Sequence, residues 1–532
     1  MTSIFDIPQS VSELKSANGG ISKIKYTQVP CSRDISGDNF PSGVQSFKFQ
    51  TSSPSWLIPA RSYIRMRATF KKGANALTIG ECVAPAFGCI ANLYQSLEFR
   101  INDKTISRIS DFVGQVDAIH KRTTKSESWM KTIGASLNFY DDDFNHRVAT
   151  VSSDGKIVGE SDSYLVQANI PSGGYTAATT VAYTVATHTI TFAVAGNDTD
   201  THWVVGDKIK FISAPTTTDL SGTIATVTAV GSSTKTIQID SELLGSDIAS
   251  ELITFARIRS PDSRRVKNVE LVWQPPLSIF GINHALPTGR YELVMNPHSS
   301  TAYQTRAVES YGISKTYSTD FTFYVNDLYF NACVCEGPRF DNGSFLIDLE
   351  SIRCQPNTIT AAGLSQKIFD VSPSTYGLAI AFQDTRAGSS TLVSPSRFKA
   401  YNTAYTEEQD LLLTRLYLSY AGLQLPQPDS DPTFVTGSNE DYTAQRYAET
   451  QLYTGQYFNA GSGESIETWQ RLGPYHYFSF PKDSEDRSTR VITNHQFTTA
   501  DNMNVLLFDW SRQVCRVQVE NGSVVDVQLE DA

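Results

Sequence analysis

The chain has 532 residues and a formal net charge of −11, with 40% hydrophobic, 11% aromatic and 19% charged side chains. Chains beyond roughly 250–300 residues outgrow a single core, so two or three domains are expected, and the acidic balance excludes nucleic-acid binding by bulk charge. Thr2-Ser3-Ile4-Phe5-Asp6 after Met1 lacks the basic and apolar regions of a secretory signal, and the longest uncharged run, about residues 163–197, is too polar for a membrane span.

Thr, Ser and Val are abundant, and 28 Phe and 24 Tyr stand against 5 Met. Branched and aromatic side chains pack well on a pleated surface, so this mix favours β-sheet. Residues 1–33 carry Lys15, Lys23, Lys25 and Arg33 against Asp6 and Glu13, which reads as a mildly basic tail rather than a genome-binding arm. Val44–Gln50 alternates with Phe47 and Phe49 on one face, Trp56 to Pro59 forms a break, and Ser62–Phe70 is a longer strand. In it Tyr63, Arg65, Arg67 and Thr69 oppose Ile64, Met66, Ala68 and Phe70. Leu97 to Ile106 reads as a hairpin turning at Asn102-Asp103, followed by a helix with Ile109, Phe112, Val113, Val116 and Ile119 on one stripe.

At 165–258 the composition shifts to Thr, Ala, Val and Gly, with short strands at Thr189–Val194, Lys208–Ile212, Gly222–Val230 and Thr236–Ile239. The segment is expected to be an inserted small β-domain projecting from the outer end of the first half. Trp203 to Ile209 followed by Thr223 to Val227 resembles the small β-barrel modules of phage and viral structural proteins. Val269–Trp273 is a strand stopped by Pro275-Pro276, and Arg290–Met295 is another; 296–317 reads as a linker, and a second strand-rich block starts near Phe321. Helical patterns interrupt it at Glu407–Leu416 and Glu440–Tyr453. The chain closes with Val505–Asp509, Gln513–Glu520, an Asn521-Gly522 turn and Val524–Val527. An Asn-Gly pair between alternating strands signals a type I′ turn, because both residues tolerate positive φ.

The halves share an order of landmarks. The early strand Tyr63–Phe70 is matched with Phe345–Ile352, and the hairpin Leu97–Ile106 with Leu416–Leu425 around Ala421-Gly422. Each half then makes a helix-bearing excursion. The late pair Val269–Trp273 and Tyr291–Met295 is matched with Tyr475–Phe480 and Val505–Phe508. Strand-rich halves with large excursions at matching places suit a duplicated jelly roll, whose loops leave from the ends of a rigid sandwich. The expected fold is all-β: two jelly-roll β-sandwiches in tandem with helical excursions and an inserted small β-domain. Its division is an N-terminal arm over 1–43, a first roll over 44–310 containing 165–258, and a second roll over 311–532.

Leu93 to Asn102 with its following helix, Thr288 to Val294, and Asn504 to Arg516 carry a resemblance to the double jelly-roll major capsid proteins of the adenovirus, tectivirus and virophage lineage, closest in appearance to those of Polinton-like viruses and virophages. The resemblance covers nearly the whole chain outside 165–258. It implies a hexon-like homotrimer that tiles an icosahedral virion capsid around a double-stranded DNA genome. Its partners would be neighbouring capsomers and penton and minor or cement proteins, with an inner lipid layer in some relatives. Such a protein would be made in the host cytoplasm and assembled there or in the nucleus. The alternatives are a secreted or surface β-sandwich lectin or adhesin, a β-sandwich glycoside hydrolase, or another viral structural protein such as a spike or penton.

No enzymatic chemistry, cofactor, metal site or sequence-specific nucleic-acid binding is expected. His120, His146, His188, His202, His284, His298, His476 and His495 show no metal-ligand spacing, and no GxSxG, P-loop or GxGxxG occurs. Asp141-Asp142-Asp143 reads as a solvated turn, and Asp483, Glu485, Asp486 and Arg487 as a charged loop. Tyr442, Tyr447, Tyr453, Tyr457 and Phe458 read as buried packing or a subunit interface rather than a base-stacking set. The seven cysteines, Cys333 and Cys335 on one strand face among them, are expected to be reduced and structural. The sequons at Asn197, Asn342 and Asn521 are expected to be chance matches.

Overall fold

The computed structural model describes residues 22–33, 43–52, 55–72, 82–85, 87–134, 150–151, 157–158, 167–168, 175–192, 208–213, 224–230, 236–240, 247–258, 268–282, 284–298, 308–311, 321–336, 342–360, 363–384, 396, 398–399, 413–425, 443–455, 463–480, 488–497 and 503–531. In chain order the first roll begins with β1 (Ser22–Pro30), β2 (Gln45–Gln50), β3 (Tyr63–Lys72), β4 (Tyr94–Ile101) and β5 (Lys104–Ile109). An excursion then carries helices α1 (Val113–Thr124) and α2 (Glu127–Lys131), the two-residue strands Thr150–Val151, Ile157–Val158 and Gln167–Ala168, and six longer strands, β6 (Tyr175–Thr184), β7 (Thr189–Phe192), β8 (Lys208–Ser213), β9 (Ile224–Val230), β10 (Thr236–Ile239) and β11 (Ile248–Ile258). The chain returns through β12 (Asn268–Trp273), β13 (Arg290–Pro297) and β14 (Phe321–Glu336).

The second roll comprises β15 (Asn342–Ile359), β16 (Gly363–Asp370), β17 (Thr375–Asp384), β18 (Leu413–Tyr420), β19 (Leu423–Leu425), then an excursion with α3 (Thr443–Tyr453) and α4 (Ile466–Arg471). It closes with β20 (Tyr475–Ser479), β21 (Arg490–Phe497) and β22 (Met503–Glu520), and a final strand β23 (Ser523–Asp531) folds back on β22.

Sheet order makes the duplication explicit. The first roll pairs β1-β14-β3-β12 and β2-β13-β4-β5; the second pairs β15-β22-β17-β20 and β16-β21-β18-β19. Ranked within its own roll, each pair of sheets reads 1-8-3-6 and 2-7-4-5, the antiparallel order of a jelly roll. The sequence pattern explains the layering. In β3, Ile64, Met66 and Ala68 are fully buried, while Arg65 and Arg67 face outward to Glu270. Aromatic residues bridge the layers, with Phe330 of β14 lying 6.3 Å from Phe47 and 5.5 Å from Phe49 of β2. In the second roll Phe382 of β17 meets Phe497 of β21 edge-on at 5.4 Å. One buried cluster runs through both rolls.

In both rolls the helix-bearing excursion leaves between the fifth and sixth strands. In the first it also carries a closed barrel of order β6-β7-β10-β9-β8-β11. The barrel's entry and exit strands pair with each other, Tyr175 opposite Arg257. Its buried Tyr183, Ile190, Ala225, Val227, Ile237 and Ile239 stand apart from the main buried cluster, so the barrel has a small core of its own.

β15 and β22 are each 18 residues long and pair throughout, from Asn342 opposite Glu520 to Ile359 opposite Met503. Ordinary strands run about 5–6 residues, and the surplus length has a use. β17 borders the first half of β22, and β23 borders the second half. The second half of β22, the first half of β15 and β23 thus form a three-stranded ribbon. It buries Phe345, Ile347, Leu349, Val517, Val519, Val524 and Val527 and reaches onto β5 and the Ser278–Gly281 turn of the first roll.

Several sequence expectations are corrected. The segment 1–43 contains β1, a sheet strand of the first roll, so it is not wholly an arm. The boundary expected at 310/311 moves to the segment between Glu336 and Asn342, because β14 pairs with β1 and β3. The long polar connection before β14 mimics an interdomain linker, yet within it Val308–Tyr311 pairs with Cys82–Pro85. Leu413–Leu416, expected in a helix, belongs to β18, while 407–412 lie outside the described residues. The helix with the Ile109 stripe starts only at Val113, since Ile109 ends β5. Of the matched landmarks, the hairpins Leu97–Ile106 and Leu416–Leu425 are equivalent. Tyr63–Phe70 is a third strand, whereas Phe345–Ile352 lies in a first strand. Val505–Phe508 lies in an eighth strand, and the seventh strand of the second roll is Arg490–Phe497.

Candidate functional site: the joint between the rolls and their open edges

α1 lies between the rolls with charges on both sides. Asp117 and Lys121, one helical turn apart, form an ion pair at 2.5 Å, and Trp273 of β12 donates its indole N–H to Asp117 at 3.0 Å. That face belongs to the first roll. On the other side Arg122 is fully buried and reaches into the second roll. Its Nε and Nη2 donate to the Glu464 carboxylate at 3.0–3.2 Å. Its Nη1 donates to the Gly473 carbonyl at 2.7 Å and the Leu472 carbonyl at 3.4 Å, and Nη2 also donates to the Trp469 carbonyl at 3.3 Å. Every N–H of the five-donor fork thereby has an acceptor, the condition under which a guanidinium is tolerated away from water. The cation also lies 4.8 Å from the Tyr475 ring centroid and 5.5 Å from that of Phe398.

The second roll is shaped to receive this side chain. Gly473 has φ +89°, and a β-carbon there would lie 2.2 Å from the Phe398 carbonyl, so only glycine allows that close approach. Ser465 caps α4 by accepting from the Thr468 amide, and its own N–H donates to the Glu127 carboxylate at 2.8 Å, tying α2 to the same corner. Burial holds the Glu464 carboxyl above the usual carboxylate range despite Arg122. Further along, Gln115 donates to Gln383 at 3.2 Å, and Ser396 donates to Asn92 at 2.7 Å.

A second set of contacts joins the ribbon to the first roll. The β4–β5 turn has positive φ at Asn102 (48°) and Asp103 (67°). From it Asn102 donates to the Val524 carbonyl, and Lys104 pairs with Asp526. Val524 N–H donates to the Thr288 carbonyl at 2.8 Å.

Other surfaces lie open. The β18–β19 turn, equivalent to the β4–β5 turn, also has positive φ at Ala421 (51°) and Gly422 (78°), and Leu423 beside it is 56% exposed. In β1, at the edge of its sheet, Ile24 and Tyr26 are exposed. Leu364 and Ile368 on edge strand β16 are exposed too. The corresponding sheet face of the first roll instead carries linked ion pairs, Lys48–Glu292, Glu292–Arg100, Arg100–Glu98 and Glu98–Arg108.

Among the residues singled out from sequence, Tyr447 packs edge-on to Trp469 at 5.8 Å and donates to the Glu464 carbonyl, while Tyr453 meets Phe478 at 5.8 Å. Tyr442, Tyr457, Phe458, His146, His202, Asp141-Asp142-Asp143, and Asp483, Glu485, Asp486 and Arg487 lie outside the described residues. Cys31, Cys89, Cys333, Cys335, Cys354 and Cys515 carry free thiols. His120 and His495 have their pKa pushed down by burial to about 4, and His476 to about 3. No group of three or more His, Cys, Asp or Glu among the described residues is arranged to hold a metal, and no described helix is long and apolar enough to cross a membrane. The Arg122–Glu464 pair was not anticipated, because its partners are 342 residues apart. The available signal was a Lys-Arg pair following an apolar helical stripe.

No family model matches the chain, and no curated protein matches it. Solved structures do. A chain in the cryo-EM structure of the Sputnik virophage is similar at 10% identity and a TM-score of 0.50, over 97% of this chain and 89% of that one. The Faustovirus major capsid protein is similar at 8% identity and a TM-score of 0.46, over 93% and 90%. The mavirus major capsid protein is similar at 9% identity and a TM-score of 0.41, over 100% and 96%. The strand order of both rolls and the likeness to the virophage chain agree: this protein has the double jelly-roll fold.

Proposed function

We infer that the chain is a major capsid protein, a homotrimeric capsomer that tiles an icosahedral shell around a double-stranded DNA genome. Its work is structural rather than catalytic, and its place is the virion capsid. The observation that carries this reading is the pair of rolls with one strand order, held side by side by a buried joint. Two such units in each of three chains give six similar corners, the outline suited to a hexagonal tile. The fold likeness to a virophage chain supports the same reading. Neighbouring capsomers, penton and minor proteins are the partners it implies. The barrel β6–β11, with its own small core, serves in this reading as an outward decoration that meets a receptor, a cement protein or a neighbouring capsomer.

Light scattering of purified protein at micromolar concentration, with negative-stain microscopy, tests the proposal. The expected result is a mass three times the 58.6 kDa chain and particles of hexagonal outline. A monodisperse monomer of that chain would overturn it.

A further inference from the structure

The duplication allows the joint inside the chain to be projected onto the surfaces that the chain leaves open. Inside the chain, the first-strand segment of roll two (β15, with Phe345, Ile347 and Leu349 buried) covers the fifth strand of roll one, β5. The β4–β5 turn is held in the same joint through Asn102 and Lys104. The equivalent fifth strand of roll two is β19. On it Leu423, next to the turn, is 56% exposed among the described residues. The equivalent first strand of roll one is β1. It pairs only with β14 among the described residues, and Ile24 and Tyr26 are 42% and 52% exposed. Each missing half of a second joint is therefore present in the same chain, one on each roll.

We propose that a second copy of this chain repeats the internal joint, its β1 covering the β18–β19 turn and β19, so that Ile24 and Tyr26 of one copy bury Leu423 of the other. The contact is head-to-tail, because the two surfaces differ, and such contacts either close into a ring or propagate as a filament. Rolls one and two alternate around the ring, so every junction presents a first strand to a fifth strand. The helices follow the same rule. α1 is buried between the rolls within the chain, whereas α3, in the equivalent excursion, leaves Leu452 and Tyr453 at 43% and 38% exposure. Apolar residues thus remain exposed on both sides of the junction that the single chain cannot complete, as expected of a surface that associates.

This inference rests on the trimeric reading and names its surfaces, and the test separates the two. Full-length wild type, Ile24→Glu, Leu423→Lys, the double variant and Leu364→Glu, whose residue is exposed outside the junction, are compared by light scattering across a dilution series. Ile24→Glu and Leu423→Lys alone should each raise the dissociation constant of the trimer by about tenfold or more. The double variant should recover association through the new Glu–Lys pair, and Leu364→Glu should stay trimeric. A wild-type trimer with both single variants equally trimeric would overturn the junction and leave the trimer standing. A wild-type monomer would remove both. Should a single charged variant fail to fold, an Ile24→Cys/Leu423→Cys chain provides the second readout. Oxidation should give covalent dimers and trimers absent from either single cysteine variant, and their absence in a trimeric sample would overturn the junction.

Discussion

Arg122 concentrates the cost and the specificity of the joint in one side chain. The acceptors of its five N–H groups, the Glu464 carboxylate among them, and its two aromatic neighbours all come from the second roll. Truncating one partner of a buried pair strands the other charge. Arg122→Met is therefore expected to cost about 3–5 kcal/mol, and Arg122→Met with Glu464→Met less than the sum of the single changes. Denaturant midpoints of the three variants check this; equal midpoints for wild type and Arg122→Met would refute it. His495 makes a different prediction. It is fully buried beside Phe382 and Phe497, and neither ring nitrogen finds a partner among the described residues. Burial pushes its pKa from the usual 6.5 to about 4. The unfolded chain then binds the proton first, so the stability contributed by neutral His495 is complete above about pH 6.5 and is lost as pH falls towards about 4, at about 1.4 kcal/mol per unit. His495→Leu should flatten this acid limb in thermal melts between pH 7 and 4, and an unchanged limb would exclude the mechanism. The residue types are plain in the sequence. Which of them end up buried together is not, since Arg122 and Glu464 are 342 positions apart.

At the scale of elements, alternation and turn chemistry identified much of what forms. Ile64, Met66 and Ala68 alternate because a strand sends successive side chains to opposite faces. Asn102-Asp103, Ala421-Gly422 and Asn521-Gly522 all take positive φ, the backbone that two-residue hairpin turns require. The closing hairpin gives a test. Gly522 has φ 75°, where a β-branched residue is disfavoured by about 1–2 kcal/mol. Gly522→Val should therefore weaken β23 and its hold on the first roll through Val524 and Asp526. Hydrogen exchange should show faster exchange over 523–531 with little change in β3. Unaltered protection of β23 would contradict this. The elements misread from sequence share a cause. Leu413–Leu416 has an apolar run whose period does not separate helix from buried strand, and β18 is settled as a strand by pairing with β19 and β21. β15 buries odd-numbered Phe345, Ile347 and Leu349 in its first half and then switches to even-numbered Ile352 and Cys354. Such a switch arises only because the first roll covers one part and the second roll's own core the other.

At the scale of the molecule, the barrel gives the clearest prediction. Its first and last strands pair, Tyr175 opposite Arg257, so the ends of the insert lie about one strand spacing apart, about 4.8 Å. Replacing residues 175–258 with a short Gly/Ser linker should leave a folded, soluble protein of unchanged oligomeric state, read by circular dichroism and light scattering. Loss of folding would mean that the barrel belongs to the core of the first roll. The sequence by itself determined that the chain is β-rich, that it is duplicated, that hairpins turn at three glycine- or asparagine-bearing sites, and that a Thr-rich insert interrupts the first half. These are local properties, set by side-chain alternation, turn conformation and composition. Only the tertiary structure decided which strand ranks where in each roll, that β14 closes the first roll rather than opening the second, and that α1 buries a charged joint. Those depend on pairing between strands hundreds of residues apart, and no local pattern encodes a partner at that distance.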